Sequence, residues 1–438
     1  MTARQLVVSL YGAVIGRIDQ RAPSAEPEFT YTPDYLAQGS TPIGIRMPLA
    51  DTTYRGRPVR AFLDGLLPEA QGTRDQWARR LSVPAGDTVG VLAQMGWDCP
   101  GAVQFCRPEE LDEMRARSHE TTPVGVADIA ERLRDLRTGS QPSWTLPGER
   151  WSLAGQQAKF ALRRDGDGWS EARGSAATTH IVKPGIGILS HQALVEHATM
   201  RAARTLGLDV ARSEYQQFDG ESAIVVTRYD RARRQDGTVL RLHQEDFCSA
   251  FGRSPRRKYE SNGGPGLADM ARLVRQNVGD RRTGLRALGD FAAFNYVAGA
   301  PDGHAKNISL LLLPGTTRVA PLYDLATALP YQATNRALQE IAVSIGGRRA
   351  FGQVLGKHWD RAATLLNMSS DEMRSRARAM AEDFPDAFAD ALHGIGTSEA
   401  EEIRVRSLDV VLGHTRRVLE RLDDPVELPA DRRRPSTA

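Results

Sequence analysis

The apolar residues of this chain change their period partway along its length, and that change limits the folds open to it. Up to about residue 242 they come in short, strand-length runs separated by turns, with isolated helical stretches. After about His243 helical spacing takes over and is broken once. There, Ile308–Leu313, Pro314-Gly315 and Arg318–Leu322 read as two strands and a turn. An α/β half followed by a mostly helical half is a bilobal α+β plan, and ligands commonly sit in the cleft between such lobes.

Residues 1–110 alternate short strands with turns around one helical stretch, forming an extra N-terminal subdomain. Within it, Phe62-Leu-Asp-Gly-Leu-Leu-Pro68 reads as core and a helix start rather than a site. Leu6–Gly16 is apolar enough to suggest a signal segment. However, Val7, Val8 and Leu10, then Tyr11-Gly12, then Val14, Ile15 and Ile18 fit a hairpin better, and no small-residue cleavage site follows. Residues 111–242 form the rest of the α/β half. They follow a polar connector over Arg107–Glu120 and include a helix over Val126–Leu136 and a Gly-, Ser- and Pro-rich loop over Thr138–Gly148. Strands are expected at Lys159–Arg163, Thr178–Lys183 and Ser222–Arg228, with a helix over Gln192–Leu206 that stops at Gly207. Residues 243–424 form the helical lobe, and 425–438, without apolar period, read as a frayed tail.

Composition excludes several classes. The 438 residues carry 57 Lys and Arg against 54 Asp and Glu, a net charge of +3, so nucleic-acid binding would need a local patch. Arg231–Arg234 and Arg256–Lys258 are basic runs that read as a solvated face, with docking of an acidic partner or DNA as the alternative. A mean hydropathy of -0.40 with no long apolar run excludes a spanning helix. Cys99, Cys106 and Cys248, odd in number and without CxxC spacing, read as reduced thiols of a cytoplasmic protein. His243, His304 and His358 show no zinc spacing.

The most informative stretch is Ala300-Pro-Asp302-Gly-His304-Ala305-Lys306-Asn307, followed by the hairpin and Tyr323-Asp324. Asp302 and Asn307 have the D-x-x-x-x-N spacing of protein-kinase catalytic loops, where the Asp takes the proton of the attacking hydroxyl and the Asn ligates Mg²⁺. The hairpin returns the chain, so Asp324 can land beside Asn307; an amide oxygen and a carboxylate suit Mg²⁺. A lone Asp-Gly is also an ordinary turn.

Lys183 ends the strand Thr178–Lys183. Such a lysine either meets an anion, with Glu196 on the following helix as its partner in the manner of kinases, or snorkels to water from an edge. Trp151-Ser152-Leu-Ala154-Gly155-Gln156-Gln157-Ala158-Lys159 is neither a Walker A sequence nor a G-x-G-x-x-G loop. Its small residues Ala154 and Gly155 would still let backbone N–H groups approach phosphates, with Lys159 supplying charge; an ordinary loop is the alternative.

These segments together resemble the HipA-type serine/threonine kinase toxins. The resemblance is carried in order by Phe62–Glu69, Ser152–Lys159, Thr179–Lys183, Arg228–Arg231, Gln244–Asp246, Lys258–Gly266, Asp302–Asn307 and Tyr323-Asp324. It implies a bilobal kinase-like fold and an ATP- and Mg²⁺-dependent protein kinase that arrests growth, neutralised by a helix-turn-helix antitoxin of the HipB type in a complex that also binds operator DNA. By position it implies Asp302 as catalytic base and Asn307 and Asp324 as Mg²⁺ ligands. Ala154, Gly155, Gln156, Gln157, Ala158, Lys159 and Lys183 fall in the phosphate-contacting set. Thr227, Arg228 and Tyr229 fall on the adenine side; His304, Ala305, Lys306, Asn307 and Tyr323 are further nucleotide contacts. Ser152 corresponds to the autophosphorylated serine. Gln157 and Thr227 stand where the family usually has Glu.

Three functions are compatible with these residues. In the first, a kinase toxin, the resemblance implies an aminoacyl-tRNA synthetase as target, most often glutamyl-tRNA synthetase. The second is a degenerate kinase retained as an antitoxin-binding co-repressor, for which Gln157 and Thr227 are the only signals. The third is a small-molecule phosphotransferase, because D-x-x-x-x-N occurs there too; residues 1–110, absent from a minimal kinase, favour the first.

Overall fold

The chain, seen in a computed structural model, is described over residues 4–139, 144–331 and 336–423. The tail expected over 425–438 and part of the loop over 138–148 lie outside the described residues. Alternation in the first twenty residues builds a hairpin, with strands Arg4–Leu10 and Ala13–Gln20 antiparallel. Tyr11 and Gly12 both take positive φ, 54° and 83°, which matches a two-residue turn to the strand twist. The N-terminal apolar run is therefore a pair of strands, with Leu6, Val8, Leu10, Ile15 and Ile18 buried. Glu28–Tyr31 and Thr53–Arg55 extend the sheet on one side and Val103–Cys106 on the other, giving five antiparallel strands.

Sequence pattern suggests one helical stretch in this region, whereas four helices are found among its described residues: Pro33–Gln38, Arg57–Gly65, Gln71–Arg80 and Thr88–Met95. Gln71–Arg80 escapes the pattern because it buries only Thr73, Trp77 and Ala78, too few to mark an apolar stripe. Phe62-Leu-Asp-Gly-Leu-Leu-Pro68 is core, as expected, but it ends the helix Arg57–Gly65 rather than starting one.

A second sheet of six antiparallel strands runs in the order Ser213–Phe218, Glu221–Thr227, His180–Lys183, Phe160–Asp165, Gly168–Ala172, Thr121–Val124. Three of these correspond to the expected strands. The outermost two are poorly visible in sequence because edge strands tolerate polar residues and proline, here Glu214, Gln216 and Pro123. The helix Gln192–Thr205 ends as the glycine predicts. Gly207 takes φ 82°, its N–H donates to Arg204 O at 3.0 Å, and Leu208 N–H donates to Ala203 O at 3.1 Å.

The helical lobe contains Leu267–Asn277, Arg281–Val297, Gly356–Leu366, Ser370–His393 and Ser398–Leu422. The expected hairpin is present as Ser309–Leu313 and Thr316–Val319, with Gln244–Asp246 added as a third strand. A second interruption, Glu340–Ile345 paired with Arg348–Ala350 around Gly346-Gly347, departs from the single break expected. Its Gly-Gly turn is a hairpin signal, and a Cβ on Gly346 would lie 2.3 Å from His358 O.

Two cores result. One joins the two sheets of the N-terminal half, with Phe62, Trp77, Trp151 and Phe160 in one cluster. The other fills the helical lobe and takes in Ala198 and Met200 of the helix Gln192–Thr205, which packs on Ser370–His393. The helix that carries Glu196 thus spans the junction between the lobes. Among the described residues no helix is long and apolar enough to cross a membrane.

Candidate active site

Lys183 ends a strand hydrogen-bonded on both sides, so it has no edge from which to snorkel. Its side chain is 6% exposed, and Nζ donates to Glu196 Oε1 at 2.8 Å and to Asp324 Oδ1. Glu196 also accepts from Gln192 Nε2 at 3.2 Å. Burial opposes the charge on Lys183, but Asp324 and Glu196 outweigh it and hold its pKa above the usual lysine range. Burial likewise opposes ionisation of Asp324, and Lys183 with Lys159 overcomes it, leaving that carboxyl well below the ordinary range. Asp324 sits at φ 57°, a left-handed conformation that non-glycine residues adopt mostly where the surroundings enforce it.

The Asp302–Asn307 loop braces itself. Asn307 Nδ2 donates to Asp302 O at 2.8 Å, and the His304 N–H donates to the same oxygen at 2.8 Å. The Asp302 side chain is 58% exposed to the cleft and accepts a hydrogen bond from Tyr259 Oη. The protein walls around it push its pKa up, against the hydrogen bond from Tyr259 and the charge of Lys258. His304 is buried edge-to-face on Tyr259, ring centroids 4.8 Å apart, and burial pushes its pKa down to about 3, so the ring is neutral.

Residues 151–159 form a loop pinned at three points. Ser152 N–H donates to Asp98 O at 2.9 Å, Gly155 O accepts from Glu69 N at 2.8 Å, and Lys159 Nζ donates to Ala154 O at 3.0 Å. Gly155 has φ 105°, a backbone conformation that favours glycine. Burial, with the neighbouring Lys183 charge, pushes Lys159 down to about 8. Gln157 Nε2 donates to Gln192 Oε1 at 3.2 Å, joining the loop to the helix of Glu196.

Two cavities, of about 720 Å³ and about 140 Å³, share Glu69, Gly155, Lys159, Asn307 and Asp324 as walls. The larger also exposes Gln156, Gln157, Asp302 and His304; the smaller exposes Ala154, Lys183, Thr227, Arg228, Tyr229, Lys306 and Tyr323. Ala158 and Ala305 line neither: Ala158 packs on the core of the sheets and Ala305 is buried beneath its loop. Only the backbone side of Arg228 serves the cleft, because its guanidinium turns away to Asp230 Oδ2 at 2.8 Å and Cys99 O at 3.0 Å. Lys306 likewise points inward, to Asp246 Oδ2 at 2.7 Å. Tyr229 stacks on Tyr323 with centroids 5.3 Å apart, and Tyr323 Oη donates to Lys306 O at 2.7 Å.

Sequence reasoning missed two groups. Arg231, read as part of a solvated face, is 2% exposed and bonded to Asp98 Oδ1 at 2.9 Å, with Arg241 on the same oxygen at 2.8 Å. Lys258, read the same way, is buried against Glu69 Oε2 at 2.8 Å in the wall of the larger cavity. A basic run marks charge density, and only the surrounding chain decides whether that charge is hydrated or paired. Nothing in the spacing around Glu69 indicated its partner, 189 positions away.

The donor set fits a hard cation. Asn307 has its Nδ2 committed to Asp302 O, which leaves Oδ1 free to coordinate, and the Asp324 carboxylate shares both cavities with it.

Comparison with known proteins bears on this arrangement. Residues 6–106 match the HipA N-terminal domain and residues 151–388 the HipA-like C-terminal domain. Y4mE of Sinorhizobium fredii, described as a candidate kinase, is 33% identical over 429 residues, covering 95% of this chain and 99% of that protein. The serine/threonine-protein kinase toxin HipA of Shewanella oneidensis is 30% identical over 78% of this chain and 79% of that protein. A solved structure of Shewanella oneidensis MR-1 HipA with HipB and operator DNA superposes with a TM-score of 0.77 at 25% identity, over 95% of this chain and 99% of that one. Matched in both halves and nearly end to end, the chain belongs to the HipA family.

Proposed function

We propose that the protein is an ATP-dependent serine/threonine-protein kinase acting as a toxin. The observation that carries this reading is Lys183 bridging Glu196 and Asp324 in the wall of a cleft that also holds Asp302 and Asn307. Phosphoryl transfer relies on positioning and electrostatics, and these residues supply both. Asp302 keeps one carboxylate oxygen open beside the Tyr259 hydrogen bond, placed to take the proton of an acceptor hydroxyl. Asn307 and Asp324 would hold Mg²⁺, which neutralises phosphate charge when bound. Lys183 and Lys159 provide cations for phosphate oxygens. The stacked pair Tyr229 and Tyr323, with the chain at Thr227 and Arg228, offers an aromatic wall suited to adenine.

Gln157 and Thr227 are the residues that favour a degenerate, non-catalytic partner. Gln157 bonds to Gln192 and Thr227 pairs with His180, so each departure from the family pattern lies on the nucleotide loop or the adenine side. The base and the metal ligands are intact, which favours the active reading.

By family, the target is an aminoacyl-tRNA synthetase, with glutamyl-tRNA synthetase first, and a HipB-type helix-turn-helix antitoxin neutralises the kinase in the cytoplasm. The solved relative was captured with HipB and operator DNA, and this supports an antitoxin through which this protein meets DNA. Incubation with labelled ATP and a cell lysate tests the reading. A labelled protein band supports it, a labelled small molecule points to the phosphotransferase alternative, and no transfer at all leaves the co-repressor.

A further inference from the structure

Transfer of a phosphoryl group concentrates negative charge on the moving group, so a cation on the acceptor side of that group lowers the barrier. Of the other lysines near the cleft, one is turned away from it and two already serve the phosphates from the nucleotide loop and its strand in the reading above. Lys306, inside the Asp302–Asn307 loop, has Nζ 2.7 Å from Asp246 Oδ2 and 3.5 Å from Gly65 O, beneath the loop. Lys183 is held between Glu196 and Asp324, and Lys159 bonds within its own loop.

Lys258 is placed differently. It shares the wall of the larger cavity with Asp302, His304 and Asn307. Its carbonyl oxygen accepts the N–H of Ala305, inside the Asp302–Asn307 loop, at 3.2 Å, and its neighbour Tyr259 donates to the Asp302 carboxylate. The next residue, Glu260, accepts from Ser344 Oγ at 2.8 Å, so the segment is fixed on both sides. Lys258 Nζ donates to Glu69 Oε2 at 2.8 Å. The backbone N–H of the same Glu69 holds Gly155 O at 2.8 Å. One residue of the N-terminal subdomain therefore secures both the nucleotide loop and this lysine.

We propose that Lys258 is a catalytic residue that contacts the terminal phosphate of the nucleotide on the side of the acceptor hydroxyl, and that Glu69 is the positioning residue that aims it. The proposal rests on the kinase reading above. In the transfer, the acceptor oxygen bonds to phosphorus, the bond from phosphorus to the bridging oxygen of ADP breaks, and the hydroxyl proton passes to Asp302. Lys258 exchanges no proton and supplies charge alone. This gives the N-terminal subdomain a direct part in the reacting centre.

The test compares affinities of the full-length protein for Mg·AMP-PNP and Mg·ADP by equilibrium titration. Lys258→Gln keeps a donor for Glu69 while removing the charge. It is expected to weaken AMP-PNP binding about 10- to 100-fold, the size of one charge-assisted hydrogen bond, and to change ADP binding by no more than about two-fold. Retained ADP binding also shows that the variant is folded. Arg349→Gln, which removes a cation paired with Glu340 in the same cleft, is expected to leave the ratio unchanged. Glu69→Ala is expected to lower the AMP-PNP to ADP affinity ratio, and Glu69→Gln, which still accepts from Lys258, to restore it. Equal losses for both nucleotides in Lys258→Gln, no loss for either, or an equal effect of Arg349→Gln would overturn the assignment of Lys258. Equal ratios in the two Glu69 variants would overturn the role of Glu69. Failure of the unaltered protein to bind either nucleotide would overturn the kinase reading and this proposal with it, whereas a failure confined to the variants overturns the proposal alone.

Discussion

The N–H of Ser152 donates to the carbonyl oxygen of Asp98 at 2.9 Å, the Ser152 hydroxyl donates to Cys99 Sγ at 3.4 Å, and the side chain is 0% exposed. Ser152, expected from the resemblance to be the autophosphorylated serine, is thus sealed under the N-terminal subdomain, and its loop would have to leave that position for a phosphate to be added. A phosphoserine carries about −1.5 to −2 charges at pH 7 and cannot return to so closed a site. Ser152-phosphorylated protein is expected to lose Mg·ATP affinity and to be cut faster by trypsin at Arg150 and Lys159, with Ser152→Ala as the control. Unchanged affinity in the phosphorylated form would remove the switch while leaving the kinase assignment standing.

Asp302→Asn is expected to reduce phosphotransfer by about 10²–10⁴-fold and to leave Mg·ATP binding nearly intact. The backbone oxygen of Asp302, which Asn307 and His304 grip, survives this change, so the loop should keep its shape. Transfer within a few-fold of wild type would show that another group is the base.

Removing Lys183 leaves Glu196 and Asp324 facing each other without the cation that bridges them. Lys183→Ala is expected to abolish transfer and to destabilise the fold by about 3–5 kcal/mol, as breaking a buried pair does. In that variant the folded-state pKa of the carboxylate pair is expected to lie above its unfolded value. Protonation then relieves the repulsion, so the deficit is larger at high pH and shrinks as pH falls through the raised value. Thermal melts of variant and wild type at several pH values would show this; a deficit independent of pH would mean the loss comes from packing.

Lys159 is pushed down to about 8 by burial and by Lys183, so its charge is partly lost just above neutrality. A charged lysine binds phosphate and a neutral one does not. Mg·ATP affinity is therefore expected to fall as pH rises from about 7 to about 9, and the slope to flatten in Lys159→Gln. An identical slope in the variant would place the titrating group elsewhere.

Asp98, with Asp230 beside it, lets Arg231 stay buried; it also holds Arg241 and accepts from Thr178 Oγ1 at 2.8 Å. Burial opposes its charge, but the surrounding arginines hold its pKa far below the usual carboxylate range. Its contribution is full above about pH 4 and is lost as pH falls toward the depressed value. Asp98→Ala is expected to destabilise the protein by about 3–5 kcal/mol near neutral pH, and denaturant melts with less than about 1 kcal/mol of change would contradict that role.

Much of this was legible in the chain because it depends on neighbours in sequence. Alternation at Val8–Ile18 and the Pro314-Gly315 turn specify hairpins through backbone sterics alone. Gly207 ends a helix because only a residue free to take positive φ closes that cap comfortably. The offset of Asp302 from Asn307, and of Lys183 from Glu196, likewise reflects local geometry, and both pairs are brought together. What tertiary structure decided was the fate of charge. Arg231 and Lys258 look like surface residues in any local window, and both are buried because partners more than a hundred positions away, Asp98 within the same half and Glu69 across the lobes, arrive beside them when the chain folds. A charge leaves water only where an opposite charge and hydrogen bonds replace its hydration, and whether such a partner is present is a property of the assembled fold.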